Sequence, residues 1–424
     1  MFKHMGETGI QILLEIYNRT WTEERIPKDW KTALIVPIYK NGDKYDCNNY
    51  RGITLLSTAM KIYEKIIDKK LKTITENTLE ESQSGFRKGR SIQDHIFTAK
   101  QIIEKVAQQG KEVYWGFIDL EKAFDNVPRD KIWEILAKRG VNQKLVRAMK
   151  NIYKDNVNCV IRQSKISEAF TTNEGLRQGG GLSPTLFIIF MDEILKKCTS
   201  RVKKLNVGYR CLNRIDISEG AFADDIIIMA GKENDLQKNL EIWNTVLQEY
   251  GMKLNKNKTK VMAMGNERKE INIQIDNANI EQVKHFKYLG VEMEESGRQD
   301  MEINSRIEKA LKVYHLMNKS FISKKEISKK TKTNVFKTVF RPILTFGCET
   351  WVLSKAQKSK IQATEMKYLR RAKGVSRMDK VRNQIIREDP HIQPTLDFVE
   401  GRRLAWWGHL QRMGNARPVK RIWE

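Results

Sequence analysis

A chain of 424 residues with 40% hydrophobic content is long enough for about two to four domains with sizeable cores, and too apolar for a disordered basic tail. Its 77 Lys and Arg against 52 Asp and Glu leave a net charge of +25, which calls for a polyanionic partner, either nucleic acid or an anionic membrane surface. No stretch approaches the ~18 to 20 uncharged apolar residues of a membrane span, the N-terminus carries no apolar core with a small-residue cleavage site, and the odd, scattered cysteines (Cys47, Cys159, Cys198, Cys211, Cys348) contain no CxxC from which a disulfide framework or zinc finger could be built.

In chain order, residues 33–39 form a short apolar run predicted as a strand. Asn41-Gly42 is the dipeptide of a tight hairpin turn, with 50–56 returning as the partner strand. Helices are expected at about 59–75 and 92–109, and a strand at 113–120 that ends in acid. A helix at 129–139, a strand pair near 157–172, a Gly-rich loop at 175–181 and a long apolar helix at 184–198 follow. A second acidic strand at 221–229 precedes a helix at 235–251, and a last strand pair is expected within 271–292. Beyond it the periodicity turns helical: Ile307, Ala310, Leu311, Tyr314 and Met317 share one helical face, as do Val335, Phe336, Val339 and Phe340. Residues 301–424 hold 28 Lys and Arg against 11 Asp and Glu, so +17 of the charge sits in the last third. One basic helix reads as a solvated face; a whole basic third points to a nucleic-acid surface. Mixed strands and helices with acids at strand ends indicate an α+β catalytic domain.

The two acidic strands carry the chemistry. The first, FIDLEKAFD at 117–125, is apolar enough on entry to be buried, so Asp119 at its end is costly unless it is paired, caps a turn or binds a metal. The second, AFADDIII at 221–228, sets Asp224 and Asp225 inside a run of Ala, Phe and Ile. Side chains alternate along a strand, so the two would face opposite ways unless a hairpin turn holds them. A hairpin tip laid beside Asp119 would gather the carboxylates around one point, the hard oxygen donors that Mg²⁺ takes together with substrate phosphates. Two such ions, ~3.5 to 4 Å apart, acidify an attacking hydroxyl and neutralise a leaving pyrophosphate, which is nucleotidyl-transfer chemistry.

Eight ordered segments make the pattern specific: 30–39 followed by KNGD at 40–43, NYRGITLL at 49–56, QSGFRKGRS at 83–91, FIDLEKAFD, GLRQGGGLSP at 175–184, FADD at 222–225, GMKLNKNKTK at 251–260 and YLG at 288–290. Their order resembles that of reverse transcriptases, in particular those of non-LTR (LINE-type) retrotransposons of the RTE-like lineage. The resemblance covers about residues 20–292. It implies a right-hand polymerase fold: fingers at 1–112, a palm with its primer-grip hairpin at 113–297, a helical thumb at 298–346 and a basic helical extension at 347–424.

The resemblance also implies roles. Asp119 and Asp224 would hold two Mg²⁺ ions, with Mn²⁺ as a substitute, Asp225 assisting and the Leu120 carbonyl as a backbone ligand. Phe124 would be the steric gate against a ribose 2′-hydroxyl, although by pattern alone a core aromatic reads the same way. Gln178 and Gly179 would pack against the incoming nucleotide. Gly180 and Gly181 depart from the larger or polar residues usual in such relatives, which implies a looser loop. Lys40 and Arg51 would close on the triphosphate, Lys258, or failing it Lys260, would protonate the leaving pyrophosphate, and Tyr288, Leu289 and Gly290 would grip the primer; an exposed surface accounts equally for the lysines. The implied partners are an RNA template, a DNA primer and dNTPs, with no membrane and an open oligomeric state, in a nuclear setting after cytoplasmic assembly on RNA. Cys348, His391 and His409 are too far apart for a zinc knuckle, so no zinc is expected. Arg402, Arg403, Trp406 and Trp407 suit single-stranded nucleic acid or, equally, a buried Trp pair. The chain starts within the polymerase region, so the upstream endonuclease of such elements is expected to be missing. The alternative to a polymerase is a catalytically silent derivative that binds RNA or RNA–DNA duplex.

Overall fold

The computed structural model describes residues 4–209, 212–265, 269–388 and 392–424. Cys211 and His391 lie outside the described residues. The chain opens with a helix, Gly6–Glu23, whose Tyr17 meets Trp30 and Tyr63 at ring-centroid distances of 5.6 and 5.8 Å. Strands β1 (Thr32–Tyr39) and β2 (Tyr50–Leu55) then pair antiparallel, from Leu34 opposite Leu55 to Tyr39 opposite Tyr50. The hairpin is as expected, but its turn is not the tight Asn41-Gly42 type. Residues 40–49 form a longer loop, because Asp43 and Asp46 each accept the backbone N–H two residues on, from Tyr45 and Asn48, at 2.9 Å. Gly42, at φ +91°, lets the loop fold onto Asn49, whose Nδ2 would stand 2.6 Å from a Cβ there.

The helix Thr58–Thr75 is capped by Ser57, and Ile92–Gln108 by a reciprocal capping box between Ser91 and Asp94. Strand β3 (Val113–Ile118) is buried along its whole length and occupies the middle of the palm sheet. Two helices, Arg129–Lys138 and Gln143–Tyr153, lead to β4 (Val157–Arg162), which returns to pair parallel with β1 and antiparallel with the short β5 (Lys165–Ile166). The long apolar helix runs Ser183–Thr199, followed by β6 (Leu205–Tyr209), β7 (Leu212–Ile217), β8 (Glu219–Phe222) and β9 (Asp225–Ala230). After the helix Glu233–Glu249 come β10 (Lys260–Met264), the short β11 (Gln274–Ile275), β12 (Ala278–Asn279) and β13 (Glu281–Gln282), then the hairpin of β14 (His285–Tyr288) and β15 (Val291–Glu294). The expected single strand pair within 271–292 is thus two small hairpins and a short edge strand.

The palm sheet has the order β13-β10-β3-β9-β8. Its period of two sorts side chains between two cores. Tyr114, Ile118, Ile226, Ile228 and Val261 enter one with the helices Ser183–Thr199 and Glu233–Glu249. Trp115, Phe117, Ile227, Met229 and Met262 enter the other with the helix Ile92–Gln108 and the hairpins β6–β7 and β14–β15. A strand covered on both faces reads as a continuous apolar run, which is why the acid at its end stood out.

The last third has its own core, and it crosses the expected thumb boundary. Residues from the helix Asp300–Met317, the turn Phe336–Phe340 and the helices Lys355–Lys373 and Thr395–Arg412 share one apolar cluster with Cys348 and Trp351. Tyr368 sits between Phe336 and Phe340, at centroid distances of 5.3 and 4.8 Å. Thumb 298–346 and extension 347–424 therefore share one packed body. The expected face at 335–340 is also redrawn: Phe336 and Phe340 are buried while Val339 is 39% exposed, because residues Phe336–Phe340 form a π turn that widens the helical period. Of the Trp pair, Trp406 is buried against Phe97 and Trp407 is exposed. The terminal helix Pro418–Trp423 returns to the palm, where Ile422 joins its core and Arg417 pairs with Asp94.

Candidate active site

The register of β8 against β9 pairs Phe222 with Asp225, so Ala223 and Asp224 are the two turn residues between them. Ala223 takes a left-handed conformation, φ +61°. β3 pairs with β9 through Ile118 opposite Ile226, and the next rung brings Asp119 across from Asp225. The hairpin tip and the end of the central strand thus carry Asp119, Asp224 and Asp225 to one end of the sheet. The expected turn holds Asp224 alone, with Asp225 opening β9, so the acid pair still stands at the hairpin tip beside Asp119.

Asp119 is held by the segment 251–260. Its N–H donates to the Thr259 hydroxyl at 3.3 Å, its carbonyl accepts from Asn255 N at 2.8 Å, and Glu121 N donates to Lys253 O at 3.0 Å. These bonds flank an isolated bridge between Leu120 and Leu254 and leave the Leu120 carbonyl on the opposite edge of the segment. The Asp119 carboxyl is raised by partial burial; Lys258 draws it back down, Asp224 pushes it up, and Lys40 lowers it. The Asp225 carboxyl is pushed up to about 6, by lost hydration first and then by Asp224 and Asp119. Acids that resist ionisation because of one another fit a cation at their meeting point. Among the described residues no three His, Cys, Asp or Glu side chains form a ready metal cage. The donor set fits Mg²⁺ held by a few carboxylates and completed by substrate phosphates and water.

Phe124 lies on the turn after β3, five residues past Asp119. Its ring stacks on Phe187 at 4.2 Å and 12°, with Phe86 edge-on at 6.4 Å, so it is anchored on the core while remaining only partly buried. The Gly-rich loop is bound to the same turn: Leu176 N donates to Phe124 O at 2.7 Å, and Gln178 Nε2 to Asp125 Oδ1 at 3.2 Å. Gln178 O accepts from Thr54 N at 2.7 Å, tying the loop to β2. Gly179, at φ +120°, has room for no side chain, since a Cβ would lie 2.6 Å from Thr54 O.

The looseness expected of Gly180 and Gly181 is not found. Glu64, fully buried, accepts the Gly181 N–H at 2.5 Å and lies 3.8 Å from the Arg177 guanidinium. Arg177 in turn donates to Ile152 O at 3.2 Å and to Asn156 Oδ1. A Cβ on Gly180 would meet Ser183 Oγ at 2.9 Å and Glu64 Oε2 at 3.1 Å, so the small residues fit the space Glu64 leaves. Glu64 escaped the sequence reading because one acid on an amphipathic helix gives no local signal.

Lys40 and Arg51 are exposed on the β1–β2 hairpin. Both charges act on Asp125, and that of Lys40 also on Asp119. Lys258 is exposed and its charge acts on Asp119, whereas Lys260 is engaged by Glu281 at 2.6 Å and by Asn257 O at 2.5 Å. The primer-grip expectation divides. Leu289 (φ +47°) and Gly290 (φ +84°) form the tight turn of β14–β15, and Arg306 of the thumb donates to Gly290 O. Tyr288 is 3% exposed in the palm core beside Phe117, so its hydroxyl is not offered to a primer. A cavity of about 190 Å³ lined by Glu80, His95, Glu219, Tyr288 and Arg417 opens behind the hairpin and includes none of the three acids.

The chain is similar to known proteins. The family model described as "Reverse transcriptase (RNA-dependent DNA polymerase)" matches residues 38–293. The RNA-directed DNA polymerase from mobile element jockey of Drosophila melanogaster is 22% identical over 87% of this chain and 40% of its own length. The probable RNA-directed DNA polymerase from transposon X-element of the same fly is 22% identical over 99% of this chain and 47% of its own. A Pol polyprotein from retrotransposable element R2 of Nasonia vitripennis is 23% identical over 69% of this chain and 29% of its own. The chain spans less than half the length of these relatives. A solved apo telomerase from Candida tropicalis is similar at 13% identity, with a TM-score of 0.49 over 98% of this chain and 74% of that one. With its motifs in order, its acids at one end of the palm sheet and a family model spanning more than half of its residues, the chain belongs to the reverse transcriptase (RNA-dependent DNA polymerase) family.

Proposed function

We propose that this chain is the polymerase part of a non-LTR retrotransposon reverse transcriptase, adding dNTPs to a primer 3′-hydroxyl on an RNA template by a two-metal mechanism. The observation that carries the reading is the convergence of Asp119, Asp224 and Asp225 at the β8–β9 tip and the end of β3, with Phe124 anchored on the turn that follows β3. Asp119 and Asp224 would hold the Mg²⁺ ions, or Mn²⁺ in their place, with Asp225 and the Leu120 carbonyl assisting. When bound, the ions supply acidification of the primer hydroxyl and neutralisation of phosphate charge.

The chain's own groups do the rest. Arg51 binds the triphosphate through its planar fork and Lys40 as a point charge. Gln178 and Gly179 lay backbone and amide against the nucleotide, in a loop held by Thr54 and Glu64. Phe124 fills the space of a 2′-hydroxyl, its ring held by Phe187 so that it cannot swing aside. Lys258 holds a proton at Nζ for the leaving pyrophosphate; the engagement of Lys260 favours this choice. The Leu289-Gly290 turn presents backbone to the primer. No helix among the described residues is long and apolar enough to cross a membrane.

Primer extension on poly(rA)·oligo(dT) with purified protein tests the reading. Extension with dTTP and a divalent ion is the expected result. Duplex binding without extension, under conditions that support a control reverse transcriptase, would identify a silent binding derivative instead.

A further inference from the structure

The acid-bearing turn is held from outside the palm. Residues 82–85 lie along the open edge of β8: Ser84 N donates to Ala221 O and Ala221 N to Ser82 O, both at 3.0 Å, around a parallel bridge between Gln83 and Ala221. Gln83 is fully buried, and its Oε1 accepts two backbone N–H groups at 3.0 Å, from Gly85 and from Ala223. Both partners can only donate, which fixes the orientation of the amide. Ala223 is the left-handed residue immediately before Asp224, a conformation costly for any residue with a Cβ. Gly85 is pressed so close that a Cβ would lie 2.4 Å from Ala223 N. Arg87 fixes the segment, donating to Glu80 O at 2.6 Å, Gln83 O at 2.8 Å and Glu76 Oε1 at 3.0 Å.

We infer that Gln83 is a positioning residue for the acid pair: its amide oxygen holds Ala223 in the left-handed turn that sets Asp224 beside Asp119. The role needs an acceptor of this length without charge. Methionine fills the space, but its thioether is only a weak acceptor for the Ala223 N–H. Glutamate accepts it while adding a carboxylate beside three others. Without the bond, Ala223 relaxes toward commoner backbone conformations and Asp224 turns away from Asp119. The inference rests on the polymerase reading above. An inactive wild-type chain would refute that reading, whereas an active one lets this inference fail by itself.

The test compares wild type with Gln83→Met and with Gln83→Met combined with Ala223→Gly. It reads kcat, the Kd for RNA–DNA duplex, and Mn²⁺ affinity of the protein alone by electron paramagnetic resonance. Gln83→Met should lower kcat ~10- to 100-fold and weaken Mn²⁺ binding, with duplex Kd nearly unchanged. Glycine adopts positive φ freely, so the added Ala223→Gly should return roughly 5- to 30-fold of the lost rate, the factor set by the left-handed cost of a residue with a Cβ. Unchanged kcat and Mn²⁺ affinity in Gln83→Met overturn the inference, as does a loss that Ala223→Gly does not relieve. If Gln83→Met yields no folded protein, Gly85→Ala puts the same strain on Ala223 N. The expected result is again reduced kcat and Mn²⁺ affinity with duplex binding kept, and wild-type values overturn the inference.

Discussion

Asp119 is not locked to a cation: the charges that act on it are those of the exposed Lys258 and Lys40 and of another carboxylate, Asp224. Replacing Asp119 or Asp224 by Asn removes charge from the site without adding bulk, so the fold and duplex affinity should persist. Extension should fall by ~10²-fold or more, the scale of removing one preorganised electrostatic interaction with a charged transition state. Steady-state extension and duplex anisotropy on the same preparations check it, and retention of a tenth of the activity in either variant would remove the assignment. Phe124 makes a different demand. Its stack on Phe187 gives the ring a core-facing side, so Phe124→Val or Phe124→Ala costs some packing, but the ring is only partly buried. Use of rNTPs relative to dNTPs should rise ~10-fold or more, from the 1 to 3 kcal/mol that such a contact discriminates. Unchanged sugar selectivity with intact dNTP use would return Phe124 to the core.

At the scale of elements, what could be read from the sequence depended on whether a local rule decided the outcome. Two adjacent acids in an apolar run have one economical solution, the tip of a hairpin, and β8–β9 adopts it. Asn41-Gly42 had two, and the aspartates of the loop, each bonding a backbone N–H, selected the longer. Phe124 was legible only through its motif, since nothing in its spacing separates a gate from a core ring. Glu64 and the Gln83 amide depend on partners far along the chain, and no local pattern reports such a partner. The same holds for His95, on the helix Ile92–Gln108. Its ring meets Phe222 edge-on at 5.9 Å behind the acid-bearing turn, and burial lowers its pKa to about 4, with Asp94 opposing and Arg417 reinforcing the shift. A histidine lowered in the folded state takes up its proton only after the unfolded chain has done so. Stability should therefore drop as pH falls from about 6.5 toward 4 and be unaffected by this group above that range. His95→Gln should show a shallower loss over the same window. Chemical denaturation of both proteins at pH 7.5, 6 and 5 measures it, and parallel curves would mean that His95 does not carry the dependence.

Across the whole molecule, the basic last third looked separable by charge but is inseparable by packing. Trp351, Ile361 and Tyr368 lie in one cluster with Ile303, Phe336 and Phe340, so a chain cut after Phe346 would expose the thumb core rather than shed an appendage. Such a truncation cannot measure what the charge does. The charge itself is divided. Arg306, Arg387, Arg402, Arg417 and Lys420 are spent on ion pairs with Glu302, Glu365, Glu349, Asp94 and Glu424. Lys324, Lys325 and Lys330 are exposed around the turn between the thumb helices, where they can meet phosphates without breaking any of those pairs. Every lysine that stops neutralising a phosphate makes the slope of log K against log salt shallower by ~0.7 to 0.9. Lys324→Gln, Lys325→Gln and Lys330→Gln together should weaken RNA–DNA duplex binding at low salt and flatten the slope by roughly 1 to 2.5, while kcat at saturating duplex stays near wild type. Affinity at several salt concentrations decides it. An unchanged slope would mean that this face is only solvated and that the duplex is held by the fingers and palm.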